Sequence, residues 1–582
     1  MSRRRRLLLV AGALILVGTG AAVVHVGVTA AGLQRGLGDA QAQASAALQS
    51  ATSGDLVGAE DAATRIAADL RGSVPSGDPV WAVAETVPLI GPNLHAARVA
   101  ASSLVDLGDR VAPPLWDAID ALADADTSAS VGILEAHAPR LRAAAEERRH
   151  VAAELAGVDR SSLIPQLADG VDRVSAAVDA LAAVTDGAAQ AAELLPPTLG
   201  AGGDRSILVV VQNPAELRTG GGITGTFLEL VARDGVLRLV AQRDSTAFEP
   251  VSRPLLALHA GEERALGDGI GRFVQNASMT ADFSLTARLA SAWWTSSGGA
   301  APDVVLSVDP LVLSALLGAI GPVDTAAGPL DQANVVDRLL VDPYVSMSSD
   351  VQSRWFADAA SAVFRAITER ARPVSAFAAL SGVVGEGRVS MWSRHESEQA
   401  VIESTPLAGP LARLEAAGPD AFGVWVNDAT GGKLTPYLGI GMQTRDGVCR
   451  PDGLREVEVE VDLSSALTAQ EAESLPISVT GGGIFGTTKG YIAPTLTVVA
   501  PPGWFVGGLT LDGAAVASAD ASEFGRHAVT RRVDLPPGAA RTLIFRFIAG
   551  PTVTGDGEPM LLHTPLLTPV EVGAGRLSCP AV

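Results

Sequence analysis

The chain has 582 residues, with 64 Asp and Glu against 43 Lys and Arg, and a formal net charge of −21. Phosphate backbones are gripped by clustered Lys and Arg, so this balance excludes a nucleic-acid-binding role. The length allows two to four domains.

Arg3 to Arg6 precede an uncharged run from Leu7 to about Ala31. About 20 apolar residues in a helix cross a bilayer core, so the run is expected to be a transmembrane anchor, residues 1–33. The arginines assign that flank to the cytoplasm and the bulk of the chain to the outside, a single-pass localisation in the cell membrane. The rival is a cleaved signal peptide, for which Val28-Thr29-Ala30 is a passable small-residue site. Signal h-regions of about 7–15 residues are shorter than this run, which favours a retained anchor.

Residues 34–195 are Ala-rich and hold two aromatics, Trp81 and Trp116. Val171, Val174, Val178 and Leu181 alternate steps of three and four, the seam of an amphipathic helix. Leu134, Leu141 and Leu155 mark a second helix, with Arg148 interrupting the series. Pro75 with Gly77, Pro113-Pro114 and Pro196-Pro197 are expected to break helices. The region reads as a helical juxtamembrane bundle or hairpin, a spacer in preference to a partner-binding coiled coil, followed by a linker over 196–204.

Ile207 to Ser245 reads as strand, turn, strand, turn, strand, opening an α/β core over 205–418. Gly220-x-Gly222-x-x-Gly225 matches the dinucleotide fingerprint literally, but Thr226 to Val231 continues as a strand where that motif opens a helix. Gly220, Gly221, Gly222 and Gly225 therefore read as a tight turn or a close backbone approach. No GxSxG elbow or HExxH helix accompanies His395, and eight His and two Cys are too scattered for a zinc site, so no metal is expected.

The run from Val211 to Phe227, VQNPAELRTGGGITGTF, closely resembles the signature of domain-of-unknown-function family 4012 of Gram-positive envelopes. Pro88 to Asn93 is similar to that family's pre-core region. The Ala, Gly, Val and Arg usage fits a GC-rich actinobacterial genome. Over about Asp204 to Arg370 the chain also resembles a divergent LytR-CpsA-Psr domain. That resemblance implies an extracytoplasmic envelope protein and a site where arginines and a metal hold the pyrophosphate of a polyprenyl-linked glycopolymer.

Arg218 stands at that family's first arginine. Gln242-Arg243-Asp244-Ser245 resembles its Pro-Arg-Asp-Thr turn, and Asp350 with Arg354 its Asp-to-Arg helix start. Val308-Asp309-Pro310 and Gly318 to Val323 resemble the later strand and turn. Thr219-Gly220 replaces a metal-holding aspartate, and Ala357-Asp358 replaces an Arg-Gln pair. Transfer of a pyrophosphate needs cations to neutralise it. The departures therefore lean away from an enzyme, with Mg²⁺ implied only if the phosphotransferase reading holds.

What remains is an expected anion-binding cluster of Arg218, Arg243, Asp244 and Arg354. The plainer alternative is that each arginine is solvated or pairs with a carboxylate such as Glu216 or Asp244. The function expected is binding of an anionic or lipid-linked glycopolymer, or help in envelope assembly. Polyprenyl-phosphate-linked glycan or cell-wall polymer is the expected partner. A phosphotransferase and a ligand-free scaffold are the rivals.

Residues 419–582 are β in pattern. Glu456 to Leu463 alternates strictly, and Thr495 to Val499 and Thr542 to Phe547 are further strands between Pro-Gly turns, as in a β-sandwich. Cys449 and Cys579 both fall here, where an oxidising compartment permits a disulfide, and pairing is favoured over two free thiols. The fold class expected is multidomain α+β: transmembrane helix, Ala-rich helical region, α/β core and β-sandwich tail.

Overall fold

A computed structural model describes residues 22, 24–36, 56–553 and 557–579. The chain divides into two compact units, Met1–Ala125 with Gly132–Pro196, and Asp126–Val131 with Pro197–Val582.

In the first unit, small side chains let helices approach closely. A Cβ on Gly108 would stand 2.4 Å from the Ala67 methyl. Val171 and Val178 of the helix Pro165–Ala180 are fully buried against Val99, Val151 and Leu155. Leu134 and Leu141, on the helix Thr127–Ala156, pack with Val111 and Leu115. Arg148, in the same leucine register, is buried because its Nη2 bonds Asp186 Oδ2 at 3.0 Å. The interruption in the seam is thus a paired charge inside the bundle. Pro113-Pro114 do not end a segment as expected. A π-turn over Leu107–Val111 absorbs the two missing backbone donors, and the helix continues through Ala112–Ala123.

The single-pass anchor expected over Leu7 to Ala31 is overturned. Among the described residues no helix is long and apolar enough to cross a membrane. Residues 1–21 and 23 of that segment lie outside the described residues. In the part described, Leu33 is buried and Val26 and Ala30 partly buried against Ile66, Leu70, Trp81 and Ala101, so one face of this stretch packs on the helical unit while Val24 and Val28 stay exposed. His25 bonds Asp78 Oδ2 through Nε2 at 2.5 Å. The single-pass membrane localisation is corrected with the anchor, and so is the juxtamembrane placement of the bundle.

In the second unit, β1 (Arg205–Asn213), β2 (Ile223–Arg233) and β3 (Val236–Asp244) form an antiparallel meander. The β2–β3 hairpin closes on Asp234-Gly235, both at positive φ, which matches the strand twist. β4 (Val304–Val308) pairs parallel with β1, and an outlying hairpin of β5 (Val323–Thr325) and β6 (Gly328–Leu330) follows. β7 (Ser390–Ser393) closes a five-stranded mixed sheet of order β3-β2-β1-β4-β7. Leu208, Val210 and Phe227 on one sheet face pack on Phe283, Ala287, Trp293 and Trp294 of the helix Phe283–Ser296.

The remaining strands are β8 (Ala421–Asp428), β9 (Leu438–Gly447), β10 (Glu456–Ser465), β11 (Pro494–Val499) and β12 (Trp504–Leu511). After them come β13 (Ala514–Ala515), β14 (Ala519–Glu523), β15 (Arg526–Arg532), β16 (Ala540–Ala549), β17 (Met560–His563) and β18 (Val572–Arg576). They form two sheets, β13-β12-β16-β10-β9-β18 and β14-β15-β11-β8-β17. Val457, Val459, Val461, Phe545 and Phe547 of the first interdigitate with Phe422, Val424, Leu496 and Val498 of the second.

The glutamates of the alternating β10 do not face open water. Glu458 pairs with Arg546 at 2.6 Å and Glu460 with Arg445 at 2.5 Å, and the arginine stems cover the outer face. β18 runs parallel to β9 with Arg576 beside Asp446, and the same three-residue step beyond that pair brings Cys449 and Cys579 together in a disulfide, Cα–Cα 5.0 Å.

Candidate functional site

The β1–β2 connection positions the expected site residues. A Cβ on Gly222 would stand 2.3 Å from the Asn213 carbonyl carbon, and one on Gly221, at φ +124°, would stand 2.8 Å from Gln212 Oε1. Gln212 Oε1 also accepts from Gly222 N at 3.1 Å, and Gly220 N donates to Ser278 O at 3.0 Å. Gly225 follows inside β2, beside the Val211 carbonyl. These glycines fold the loop back onto its own strand, and the loop opens no helix.

The turn aims Arg218 inward. It is 5 % exposed, and both terminal nitrogens are engaged. Nη1 donates to the carbonyls of Leu217 at 2.8 Å and Asp428 at 3.2 Å. Nη2 donates to Glu216 Oε1 at 3.0 Å and Asn276 Oδ1 at 3.1 Å. Nε is buried without a partner among the described residues. Arg218 therefore ties the core sheet to the end of β8, and Leu217 beside it belongs to the sandwich core.

Glu216 is also 3.6 Å from Lys433 Nζ, which lies 4.8 Å over the Tyr344 ring. Tyr344 Oη accepts from Asn213 Nδ2 at 2.7 Å. Burial, with Asp244 and Glu216 nearby, pushes the Tyr344 hydroxyl well above its usual pKa. Burial and the Glu216 charge likewise push Asp428 up to about 6, against the pull of Arg218 and of its bonds from Thr430. Asp428 Oδ2 accepts from Thr430 N and Oγ1 and from Gly431 N.

A carboxyl that binds its proton more tightly when folded stabilises the fold fully below its unfolded pKa, near 3.8. That contribution is lost as pH rises through about 6. Asp428→Asn keeps the acceptor oxygen and removes the charge. We expect this variant to be more stable than the parent at pH 8 by roughly 1–3 kcal/mol and equal to it at pH 4. Urea titrations at the two pH values check this; equal stability at pH 8 would mean that Asp428 carries no buried charge.

The other expected residues lie elsewhere. The Arg243 guanidinium stacks 4.7 Å from the Trp294 ring centroid, and its Nη1 donates to Ser297 O at 2.7 Å and to Ser297 Oγ. Asp244 Oδ1 accepts from Thr246 N at 2.9 Å and caps its own turn. Arg354 is exposed on the helix Ser349–Arg370. Among the described residues no hydrogen bond or ion pair joins any two of the three arginines.

His395 Nε2 is 3.3 Å from Asp303 Oδ1, at the end of the sheet where β4 begins. A second buried pair, Asp309–Arg388 at 2.9 Å, lies where β4 ends, and Arg388 Nη2 donates to Leu566 O at 2.6 Å. The sequence does not reveal this role, because Asp309 lies 79 residues from Arg388 and the carboxylate near it in sequence is Glu386, which also pairs with it. Among the described residues no group of three or more His, Cys, Asp or Glu is placed to hold a metal.

The glycine turn, Arg218, Arg243 and Asp244 all lie in one matched segment. Residues 202–344 match the family described as Protein of unknown function (DUF4012). It is the family that Val211 to Phe227 resembles, and the DUF4012 match ends at Tyr344, which lies under Lys433 in the buried joint. Arg354 falls outside it. The comparisons with curated proteins and with solved structures found no match.

Proposed function

We propose that this chain binds an anionic glycopolymer of the cell envelope and does not transfer one. The observation that carries the choice is the state of Arg218. A phosphotransferase of the LytR-CpsA-Psr type needs that arginine on a pyrophosphate. Here its terminal donors are all engaged by Glu216, Asn276 and two carbonyls. Arg243 keeps Nε and Nη2 without partners among the described residues, and Arg354 keeps its whole guanidinium, so these two remain to meet an anion. The Cys449–Cys579 disulfide suits an oxidising compartment. A ligand-free scaffold is the second reading, favoured by how much polar chemistry is used to join core and sandwich.

The test is titration of the full chain with a phosphate-containing cell-wall polymer. Arg243→Ala is expected to weaken binding by roughly 1.5–3 kcal/mol, as for a lost charged hydrogen bond. The exposed Arg354→Ala is expected to cost about 0.2–1 kcal/mol. Saturable binding by the parent that neither variant disturbs would remove these arginines from the site, and no binding at all would favour the scaffold.

A further inference from the structure

A cavity of about 200 Å³ opens among Arg338, Asp342, Val345, Ser346, Met347 and Trp355. It is smaller than the roughly 300–1,000 Å³ of sites for drug-sized ligands and has room for about one ring. Arg338 lies in the last turn of the helix Val335–Leu340, and Asp342 opens the helix Asp342–Ser346. The backbone breaks between them at Val341, φ −120° and ψ −64°, and no ion pair joins the two side chains although they are four residues apart.

Arg338 is held in place without being saturated. Its guanidinium lies 5.7 Å from the Trp355 centroid, and Nη2 donates to Ala327 O, which leaves Nε and Nη1 without partners among the described residues. Trp355 Nε1 donates to Arg338 O at 3.3 Å, and Ser346 Oγ donates to Asp342 O at 2.6 Å. The Asp342 carboxylate has no hydrogen-bond donor among the described residues. One wall is therefore apolar, and the rim offers the remaining Nε and Nη1 donors of Arg338 and the Asp342 carboxylate.

We infer that this cavity binds a single hydroxylated sugar ring of a glycan. Hydroxyls donate to Asp342 and accept from Arg338 at once, while the C–H face of the ring lies on Val345, Met347 and Trp355. A phosphate group satisfies Arg338 but is repelled by Asp342, so the charge pattern selects the sugar over the anion. The inference rests on the glycopolymer-binding reading and assigns it a saccharide subsite apart from Arg243.

The test uses the full chain and saturation-transfer NMR with glucose, galactose, rhamnose, N-acetylglucosamine and glucuronate at millimolar concentration. Alanine serves as a zwitterionic control. At least one sugar is expected to bind. Asp342→Asn should weaken it at least tenfold, and Val345→Trp, which fills the cavity from an exposed position, should abolish it with the melting temperature unchanged. Sugar binding that survives Val345→Trp would overturn the site and leave the glycan reading standing. Binding of alanine in place of every sugar would overturn the ligand class. If the phosphate-containing polymer binds and no sugar does, the subsite fails alone; if neither binds, both readings fail.

Discussion

Arg218→Ala is expected to lower the stability of the full chain by about 3–5 kcal/mol, the usual cost of removing one partner from a buried charge pair. The variant leaves Glu216 with only Lys433, at 3.6 Å, as a cationic partner among the described residues, and leaves the Leu217 and Asp428 carbonyls and Asn276 Oδ1 without their guanidinium donor. Arg218→Lys should recover little, because a single ammonium does not reproduce a planar fork that spans four acceptors. Thermal and urea unfolding check this. If Arg218→Ala instead stays within about 0.5 kcal/mol of the parent and loses polymer binding, Arg218 is a ligand residue and the buried-joint account is wrong.

Removing the disulfide is the second large effect. Cys449 and Cys579 are 130 residues apart in sequence, and in the chain-entropy account the cross-link restrains a long loop of the unfolded chain. Loss of such a bond costs roughly 2–5 kcal/mol. The consequence should be localised first at β18, whose side chains are all exposed and which holds to the sheet by its parallel pairing with β9. Cys449→Ser with Cys579→Ser is expected to lower the unfolding midpoint. Amide exchange should rise in β18 and along β9 before it rises in β10 or β16. A midpoint and exchange pattern unchanged by the double substitution or by reductant would show that the sandwich core alone sets stability there.

Much of the second unit was legible in the sequence, because its signals are local. The alternation in Ile207 to Ser245 and its glycine turns correspond to β1, β2 and β3, and the alternating Glu456 to Leu463 lies in β10. The family resemblance in Val211 to Phe227 was legible too, since it rests on contiguous residues. What did not show was pairing across sequence distance. Arg218 reads as a free cation until Asn276, 58 residues on, and Asp428, 210 residues on, are folded against it. Only Glu216, two residues away, could be named beforehand as its partner.

Composition also misled. An apolar run beside four arginines matches a bilayer anchor, yet the part of it that is described packs Val26, Ala30 and Leu33 into the helical unit. Hydropathy reports that a segment avoids water and does not say which apolar surface receives it. Pro113-Pro114 misled in another way, because a π-turn can accommodate the missing donors without ending the helix.

The most direct measurement is the fate of a polyprenyl-pyrophosphate-linked glycan incubated with the full chain, followed by mass spectrometry of the lipid. A binding protein with Arg218 engaged in its own joint should retain the donor intact, with saturable binding and no released polyprenyl phosphate. Time-dependent release of polyprenyl phosphate that disappears in an Arg218 variant shown to be folded would contradict the account and make the chain a transferase.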